Sequence, residues 1–236
     1  MAHQQYVCKK CGFNMVGHHP QTCPFCGAGR EQFLTIDEAA ALYHVEATPV
    51  SGRVTRLNSD PPIGIEHAAY RIDAGDRRIW IDCPCTFDRR VEPMDVIAFT
   101  HKDFLGSSNL YRERFGAVVW IHAGDAEHPL AERFTFDRTL DGDTADGGLQ
   151  AWHLGGHTPG YMAYLFGDVL FAGDMVFERG ETLIHNTFGP VDRTIEGAKT
   201  LQRRLEGREV AKVCGWNYTA DYAEWKPKFD RLVAAS

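Results

Sequence analysis

The cysteines near the N-terminus carry the strongest chemical signal in the sequence. Two pairs share one spacing and one following residue, "CKKCG" and "CPFCG", and they comprise Cys8, Cys11, Cys23 and Cys26. Two thiolates three residues apart chelate one ion when the loop between them folds into a tight knuckle, and a following glycine suits the positive φ of such a loop. The doubled pattern predicts a closed four-thiolate site for one ion, whose binding supplies most of the folding energy of this segment.

A second set of candidate ligands follows apolar runs that are typical of buried strands. His101 and Asp103 lie in "THKD", His157 lies in "GGHTPG", and Asp174 ends "FAGD". Strand ends aim ligands from rigid backbone into a shared pocket, and the small residues beside them leave room for an ion. Two imidazoles with one or two carboxylates suit zinc, iron or manganese. We therefore predict a second site for one Zn, Fe or Mn ion, in which Asp103 is the least specific ligand because an Asp is also a common helix N-cap.

The other candidate thiols and histidines do not require a role in a metal site. Cys83 and Cys85 follow a strand pattern in "IWIDCPC" and could join the metal site or act as redox thiols, although buried inert thiols are more common. His122 suits a satisfied histidine at a strand end, and His185 suits a loop histidine without a role in the site. Cys214 in "VAKVCGW" is most simply a core residue.

The elements that position these residues are predicted from periodicity and turn signals. "TIDE" forms a capping box that begins a helix at Thr35 and carries it to about Tyr43. Strand patterns begin near Thr48, and Gly75-Asp76 predicts a hairpin turn between two of them. A Gly/Asp-rich loop, "DGDTADGG", separates later strands. We divide the chain into a four-cysteine module (1–34), a helical linker (35–47) and an α/β domain (48–236).

Composition and charge narrow the classes of partner. The chain has 236 residues, a net charge of −7 and no long Lys/Arg block, which argues against a nucleic acid or an anionic membrane surface as partner. The N-terminus has no apolar signal region, so we expect a cytoplasmic protein. In that compartment seven cysteines indicate metal ligands and free thiols rather than disulfides.

The first 30 residues resemble the rubredoxin-like domain found on rubrerythrins. The resemblance rests on "YVCKKCGFNMVGHHPQTCPFCGAG", with an aromatic residue two positions before the first cysteine and a CPxCG second knuckle. It implies iron with an electron-transfer role. Zinc ribbons use the same spacing, and zinc is redox-silent, so Fe and Zn both stay open for this site.

The rest of the chain resembles the metallo-β-lactamase superfamily. "GGHTPGYMAYLFGDVLFAGD" is similar to the third metal motif and bridging Asp of that family, and "VIAFTHKDFLGSSN" aligns with its TH-x-H-x-D-H segment. The resemblance implies an αββα sandwich from about Thr48 to the C-terminus, with the site at one edge of its two sheets.

The departures from that family motif concern the second metal ion. On this alignment Asp103 replaces the second His of the motif, while Leu105 and Gly106 replace the Asp and His that hold the second ion. Trp216 or Asn217 stands where the family has its final His. The resemblance therefore implies a single ion with the ligands His101, Asp103, His157 and Asp174.

Three functions are compatible with these patterns. The first is a metal-dependent, hydrolase-like enzyme with a single ion and a small-molecule substrate, although Leu105 stands where the family has the Asp that orients the nucleophile. The second is a mononuclear non-haem iron redox enzyme that receives electrons from the rubredoxin-like module or a redox partner. Its metal set would be His101, His157 and Asp174, positions that bind iron in the persulfide dioxygenase branch, which the chain resembles in those residues only. The third is a non-catalytic module that senses metal or redox state or binds a partner.

Overall fold

The computed structural model describes residues 4–236, so the first three residues of the predicted 1–34 module lie outside the described residues. The helices in this range are α1 (Ile36–Leu42), α2 (Ser108–Phe115), α3 (Ala123–Ala126), α4 (Val191–Arg204) and α5 (Tyr222–Ala234). The strands are β1 (Gln5–Cys8), β2 (Asn14–Val16), β3 (Phe33–Thr35), β4 (His44–Pro49), β5 (Val54–Asp60), β6 (Ala69–Asp73), β7 (Arg78–Ile81), β8 (Val96–Ala98), β9 (Val118–His122), β10 (Arg138–Leu140), β11 (Thr144–Asp146), β12 (Leu149–His153), β13 (Met162–Phe166), β14 (Val169–Gly173), β15 (Val176–Arg179), β16 (Thr182–His185), β17 (Lys212–Gly215) and β18 (Thr219–Asp221). No helix among these is both long and apolar enough to cross a membrane.

The N-terminal module is a small antiparallel sheet with two cysteine knuckles. Its strands have the order β2-β1-β3, and the cysteines themselves form most of its buried cluster, together with Tyr6 and Phe33. The predicted capping box is confirmed, because Thr35 Oγ1 accepts from the Glu38 backbone N–H and Glu38 accepts from the Thr35 backbone N–H. The helix that it caps, α1, follows the third strand directly.

The remaining chain forms an αββα sandwich, as the sequence predicts. A seven-stranded sheet has the order β10-β9-β8-β7-β6-β5-β4, and a six-stranded sheet has the order β11-β12-β13-β14-β17-β18. The apolar faces of the two sheets pack against each other around residues such as Tyr70, Ile81 and Tyr164. Tyr111 of α2 packs on the outer face of the first sheet, and Trp225 of α5 packs on the outer face of the second. Each sheet is thus buried on both faces, which explains why its central strands are continuous apolar runs.

Two segments differ from the sequence-based expectation. The stretch at 44–47, expected as part of a helical linker, lies in β4, which pairs with β5 over six residues from His44 to Pro49. The predicted loop "DGDTADGG" contains β11, which forms a hairpin with β12. Gly147 and Gly148 both have positive φ, 57° and 82°, the conformation of a tight two-residue hairpin turn. The division at 34 and 47 stays a prediction.

Candidate metal centre

The four cysteines of the N-terminal module surround one point. Cys8 Sγ lies 3.8 Å from Cys26 Sγ, and Cys11 Sγ lies 3.7 Å from Cys23 Sγ, so none of them forms a disulfide. Four thiolates at about 2.3 Å from one ion in a tetrahedron are about 3.8 Å apart. Gly12 and Gly27, which follow the two knuckles, have φ of 79° and 72°. The cluster therefore has the dimensions of a four-thiolate metal site.

The thiols of this cluster lie close enough to shift the pKa of one another. Hydrogen bonds with Cys11 and Cys23 lower the pKa of Cys8, and backbone N–H groups of Lys10 and Cys11 favour its thiolate further. Contacts with Cys23 and Cys8 raise the pKa of Cys11, and its burial adds to this effect. Several thiolates so close together disfavour one another unless a cation lies between them. A metal ion is the partner that would let all four ionise.

The second cluster joins the two sheets of the sandwich. His101 follows β8 of the seven-stranded sheet, and Asp103 lies in the 3₁₀ turn Lys102–Phe104 that begins there. His157 lies between β12 and β13, and Asp174 follows β14, so both come from the six-stranded sheet. His101 Nε2 is 3.6 Å from Asp103 Oδ2 and 3.5 Å from Asp174 Oδ1. His157 Nε2 is 3.7 Å and 3.6 Å from the same two oxygens.

These separations fit donor atoms that share one ion. A nitrogen and an oxygen that each lie about 2.1 Å from an ion, at a tetrahedral angle, are about 3.4 Å apart. His101 Nε2, both ring nitrogens of His157 and Asp174 Oδ1 are buried without a hydrogen-bond partner among the described residues. Buried polar atoms without a partner are rare in proteins. The side chains present therefore fit a metal ion of the zinc, iron or manganese class.

The local electrostatics favour the metal-binding forms of these side chains. Burial and the neighbouring His157 lower the pKa of His101 well below its ordinary value, which keeps its imidazole neutral. Burial alone would raise the pKa of Asp103, but His157, His101 and Lys102 outweigh it and lower that pKa. Burial raises the pKa of Asp174 to about 6. A cation between these groups would stabilise both carboxylates.

Asp82 fixes the orientation of His101, although sequence analysis did not select it. Its carboxylate accepts from the Thr100 backbone N–H at 2.8 Å and from Thr100 Oγ1 at 2.9 Å. Thr100 Oγ1 is also 2.9 Å from His101 Nδ1. Since the hydroxyl hydrogen is donated to Asp82, His101 Nδ1–H donates to Thr100 and the Nε2 lone pair faces the cluster. Asp82 itself has a φ of 60°, a strained backbone conformation of the kind that clusters at functional sites.

Asp125 connects the two loops that carry the histidines. Its Oδ2 accepts from the Lys102 backbone N–H at 3.0 Å and from Thr158 Oγ1 at 2.9 Å, and its Oδ1 accepts from the Gly160 backbone N–H at 2.9 Å. One buried carboxylate thus sets the distance between the His101 loop and the loop after β12. The only signal in the sequence is an Asp just after an apolar strand, which is too common to select it.

Asn186 fixes the orientation of the Asp174 carboxylate. Its Nδ2 donates to Asp174 Oδ2 at 3.0 Å, which turns the other oxygen, Oδ1, toward the two histidines. Asn186 is fully buried and follows β16. The contact spans 12 residues of sequence, and no local pattern predicts it.

Among the other candidate thiols, Cys85 lies on the wall of a cavity beside the second cluster. Cys83 and Cys214 are enclosed in the cores on either face of the first sheet, and burial raises the pKa of all three thiols. His67, which sequence analysis also missed, has its Nδ1 3.8 Å from Cys85 Sγ and its Nε2 2.8 Å from the Cys83 carbonyl oxygen. A carbonyl oxygen only accepts, so Nε2–H donates to it and the Nδ1 lone pair faces the Cys85 thiol.

His122 and His185 have structural partners away from the second cluster. His122 Nδ1 accepts from the Gly124 backbone N–H at 3.1 Å as the N-cap of α3, and its ring stacks on His153 at 3.8 Å. His185 ends β16 rather than lying in a loop, and its Nε2 is 2.8 Å from Ser236 Oγ. Neither histidine contributes to the second cluster.

The cavity beside the second cluster has a volume of about 290 Å³, near the lower end of the range for small-molecule sites. Its polar lining includes Asn14, His67, Cys85, Lys102, Asp103 and Asp174. The N-terminal module contributes Cys11, Gly12, Phe13, Asn14 and Phe25. The module is therefore part of the cavity wall as well as a metal-binding unit.

Comparison with known proteins now identifies the family. A family model described as the metallo-β-lactamase superfamily matches residues 72–215. The chain belongs to the metallo-β-lactamase superfamily. This superfamily member is 31% identical over 152 residues to a hydroxyacylglutathione hydrolase from Shewanella pealeana, a match that covers 64% of this chain and 56% of that protein. The match thus spans just over half the length of that relative.

Solved structures of the metallo-β-lactamase superfamily share the fold. A metallo-β-lactamase from Pontibacter korlensis has a TM-score of 0.62 and 19% sequence identity, with 82% of this chain and 100% of that chain covered. A metallo-β-lactamase from Hirschia baltica has a TM-score of 0.60 and 17% identity, with 80% and 97% covered. At these identities the likeness shows the fold alone.

The positions that differ from the metallo-β-lactamase motif surround the cavity. Leu105, Gly106 and Trp216 all line it, and none offers a metal-binding side chain. Asn217 lies outside it, where its carbonyl oxygen accepts from Arg56 at 3.1 Å. Among residues 4–236, two groups of at least three His, Cys, Asp or Glu side chains converge closely enough for an ion: the four cysteines, and His101 with Asp103 and His157. No third group of this kind converges within residues 4–236.

Proposed function

We propose that this member of the metallo-β-lactamase superfamily is a hydrolase-like enzyme that uses one ion, held by His101, Asp103, His157 and Asp174. The observation that carries the proposal is the convergence of two imidazole nitrogens and two carboxylate oxygens beside a cavity of small-molecule size. The non-ligand residues at the second-ion positions support a single ion. Iron, zinc and manganese all suit this mixture of donors.

An ion in this site would supply Lewis acidity and activate water for attack on a substrate. Asp103 Oδ2 faces the two histidines, and Asp103 Oδ1 accepts from Lys102 Nζ at 2.7 Å. Leu105 cannot orient a nucleophile at the family's usual position, so we assign the orientation of the attacking water to this Oδ1. The Lys102 ammonium also lines the cavity, where it would stabilise negative charge that develops on a substrate oxygen.

The hydrolase relative supports a small-molecule substrate, since its name specifies a hydroxyacylglutathione. The absence of nucleic-acid and membrane partners stays a prediction, as does a cytoplasmic location. All seven cysteines are unpaired, which suits a reducing compartment.

The test of the ligand assignment is the His157→Ala variant, with His18→Ala as a control at an exposed histidine. We expect wild-type protein and the control to carry two equivalents of metal after dialysis, one of them in the four-cysteine site. The His157→Ala variant is expected to carry one, because the site has no spare donors. Retention of the full second equivalent would show that the ligand assignment is wrong. If wild-type protein never carries a second equivalent, the non-catalytic sensing or partner-binding function replaces the proposal.

A redox function is the second candidate, because side chains in contact connect the two metal-binding clusters. Gly12 of the first knuckle packs directly against Cys85 Sγ, and that sulfur is 3.8 Å from His67 Nδ1. The His67 ring stacks on Phe104 at a centroid distance of 4.1 Å, and the Phe104 ring is 4.3 Å from that of His101. This chain of contacts supports electron transfer from an iron–thiolate site to a non-haem iron site.

Colour and metal content distinguish the two candidates. Red protein with thiolate-to-iron charge-transfer bands, purified without added metal, is the result expected for the redox function. In that case a His67→Leu variant with unchanged iron content should reoxidise its four-cysteine site more slowly, since the stacked ring is lost. Colourless protein that contains zinc supports the hydrolase.

A further inference from the structure

Three exposed apolar side chains lie around the opening of the cavity. Phe25 is 45% exposed, Ile65 is 61% exposed and Phe188 is 71% exposed, and all three line the cavity. They come from three separate parts of the chain: the second knuckle, the β5–β6 connection and the β16–α4 connection. Single exposed apolar residues are ordinary, but a cluster at the mouth of a cavity indicates a surface that an apolar ligand covers.

Aromatic rings also line the cavity on both its module side and its sandwich side. On the module side, the rings of Phe13 and Phe25 are 6.3 Å apart and nearly parallel, with an interplanar angle of 6°. On the sandwich side, Phe177 contacts both Phe188, at 6.4 Å, and Trp216, at 5.8 Å, in edge-to-face geometry. Such surfaces favour aromatic and aliphatic groups through burial and ring-edge contacts.

The module is held in place by a buried polar network, so its phenylalanines have a fixed position. Asn14 Nδ2 donates to the Cys85 carbonyl at 3.0 Å, and Gln5 Nε2 donates to Asn14 Oδ1 at 2.8 Å and to the Gly106 carbonyl at 3.3 Å. Gly64 lies so close to the carbonyl of Lys10 that a Cβ at this position would collide with it. A satisfied buried network of this kind specifies one docking geometry.

The charged side chains in the cavity are occupied by one another or by the ion of the proposed site, so the apolar lining selects the rest of the ligand. Asp103 and Asp174 are its carboxylates, and the Lys102 ammonium is paired with Asp103 at 2.7 Å. His67 stays neutral, because burial lowers its pKa to about 4. The volume of about 290 Å³ is too small for a folded peptide segment and suits a compact molecule.

We infer that the four-cysteine module is part of the substrate site, in which Phe25 and Phe188 bind an apolar, preferably aromatic, portion of a small substrate. The polar reacting group of that substrate lies toward Asp103 and Asp174. This inference rests on the proposed single-ion site and names the class of substrate for it. Phe25 is thus a specificity-determining residue contributed by the metal-binding module.

The test compares two metal-directed probes by isothermal titration calorimetry on metal-loaded full-length protein. Acetohydroxamate has no tail, and 4-phenylbutyrohydroxamate carries an aromatic tail on the same head group. We expect the tail to tighten binding roughly tenfold to a hundredfold, the effect of burying one aromatic side chain. The Phe25→Ala variant should lose roughly twofold to tenfold of that gain, the contribution of an aromatic pair. The Phe25→Leu variant should keep more of it.

The control is Leu42→Ala, which removes an apolar side chain of similar exposure outside the cavity. It should leave the affinity of both probes unchanged. Equal affinity of the two probes, or an equal tail effect in wild type and Phe25→Ala, overturns the inference while the single-ion site stands. If acetohydroxamate does not bind at all, the single-ion proposal is at fault. The apolar surface is then tested with 4-phenylbutanol, whose affinity must still fall in Phe25→Ala for the inference to hold.

Discussion

Replacing Gly12 by alanine tests whether the four-cysteine module is docked on the sandwich as the structure shows. Gly12 has a φ of 79°, and an added Cβ would lie 2.6 Å from Cys85 Sγ and 3.2 Å from the Glu66 Cβ. Gly27 occupies the matching position of the other knuckle with a φ of 72°, and an added Cβ there meets nothing within 4 Å. Both alanine variants therefore strain the backbone, but only Gly12→Ala also collides with Cys85 of the sandwich.

The expected magnitudes follow from that difference. A left-handed conformation costs a non-glycine residue about 1–2 kcal/mol, and this cost applies to both variants. Forcing an additional carbon into a packed contact costs a further 1–3 kcal/mol or so. We expect Gly27→Ala to lower the free energy of unfolding by about 1–2 kcal/mol and Gly12→Ala to lower it by about 2–5 kcal/mol.

The assay is urea unfolding of the metal-loaded protein, followed by tryptophan fluorescence. A double variant adds a second readout. In a Cys85→Ala background, where the sulfur is absent, Gly12→Ala should lower the free energy of unfolding by little more than Gly27→Ala does. Equal destabilisation by the two glycine substitutions in the wild-type background would refute the docked arrangement. The docked arrangement would also be refuted if Gly12→Ala destabilises the protein equally with and without the Cys85→Ala substitution.

Three further predictions concern the residues that position the site and the pH dependence of stability. Asp125→Asn removes one of the two charged oxygens that hold the ligand loops, so its affinity for the second equivalent of metal, measured by equilibrium dialysis, should fall about tenfold to a hundredfold. Asp143→Asn, at an exposed position, should leave this affinity unchanged. Thr100→Val breaks the link from Asp82 to His101 Nδ1 and should lower the affinity for the second equivalent of metal by about tenfold or more. Thr200→Val on α4 should leave that affinity unchanged. An unchanged affinity in Thr100→Val would contradict the tautomer assigned to His101. Although burial opposes it, hydrogen bonds from Arg90 and Val45 lower the pKa of Asp88 to about 2. Its stabilising contribution is therefore present above about pH 4 and lost as the pH falls toward 2, so the difference in unfolding free energy between wild type and Asp88→Asn should shrink over that interval.

Local patterns predict most of the elements and the candidate ligands, although β4 and β11 are exceptions. The doubled CxxCG spacing predicts the knuckles because their geometry is set within five residues, and the structure brings all four sulfurs together. The capping box at Thr35 and the Gly75 hairpin are equally local, and both are present. His101, His157 and Asp174 are predictable because each follows an apolar strand, and the sandwich brings these strand ends to one edge.

Contacts between distant segments could not be predicted from one sequence. Asp125, Asn186 and His67 have no motif, and each acquires its role only when separate loops meet. The docking of the module rests on Gln5, whose side chain reaches a carbonyl 101 residues away. The family alignment implies that Gly106 replaces a ligand, and the structure shows that its φ of 47° and its contact with the Cys83 carbonyl also require a glycine there.

An anomalous-difference map from crystals of metal-replete protein tests how many ions the protein binds and where. We expect two peaks per chain: one between the sulfurs of Cys8, Cys11, Cys23 and Cys26, and one between His101, Asp103, His157 and Asp174. No peak should lie in the space between Leu105 and Trp216. A third peak, bridged to the second by Asp174 at roughly 3.5–4 Å, would contradict the single-ion site and show that Cys85 or His67 has replaced the missing ligands.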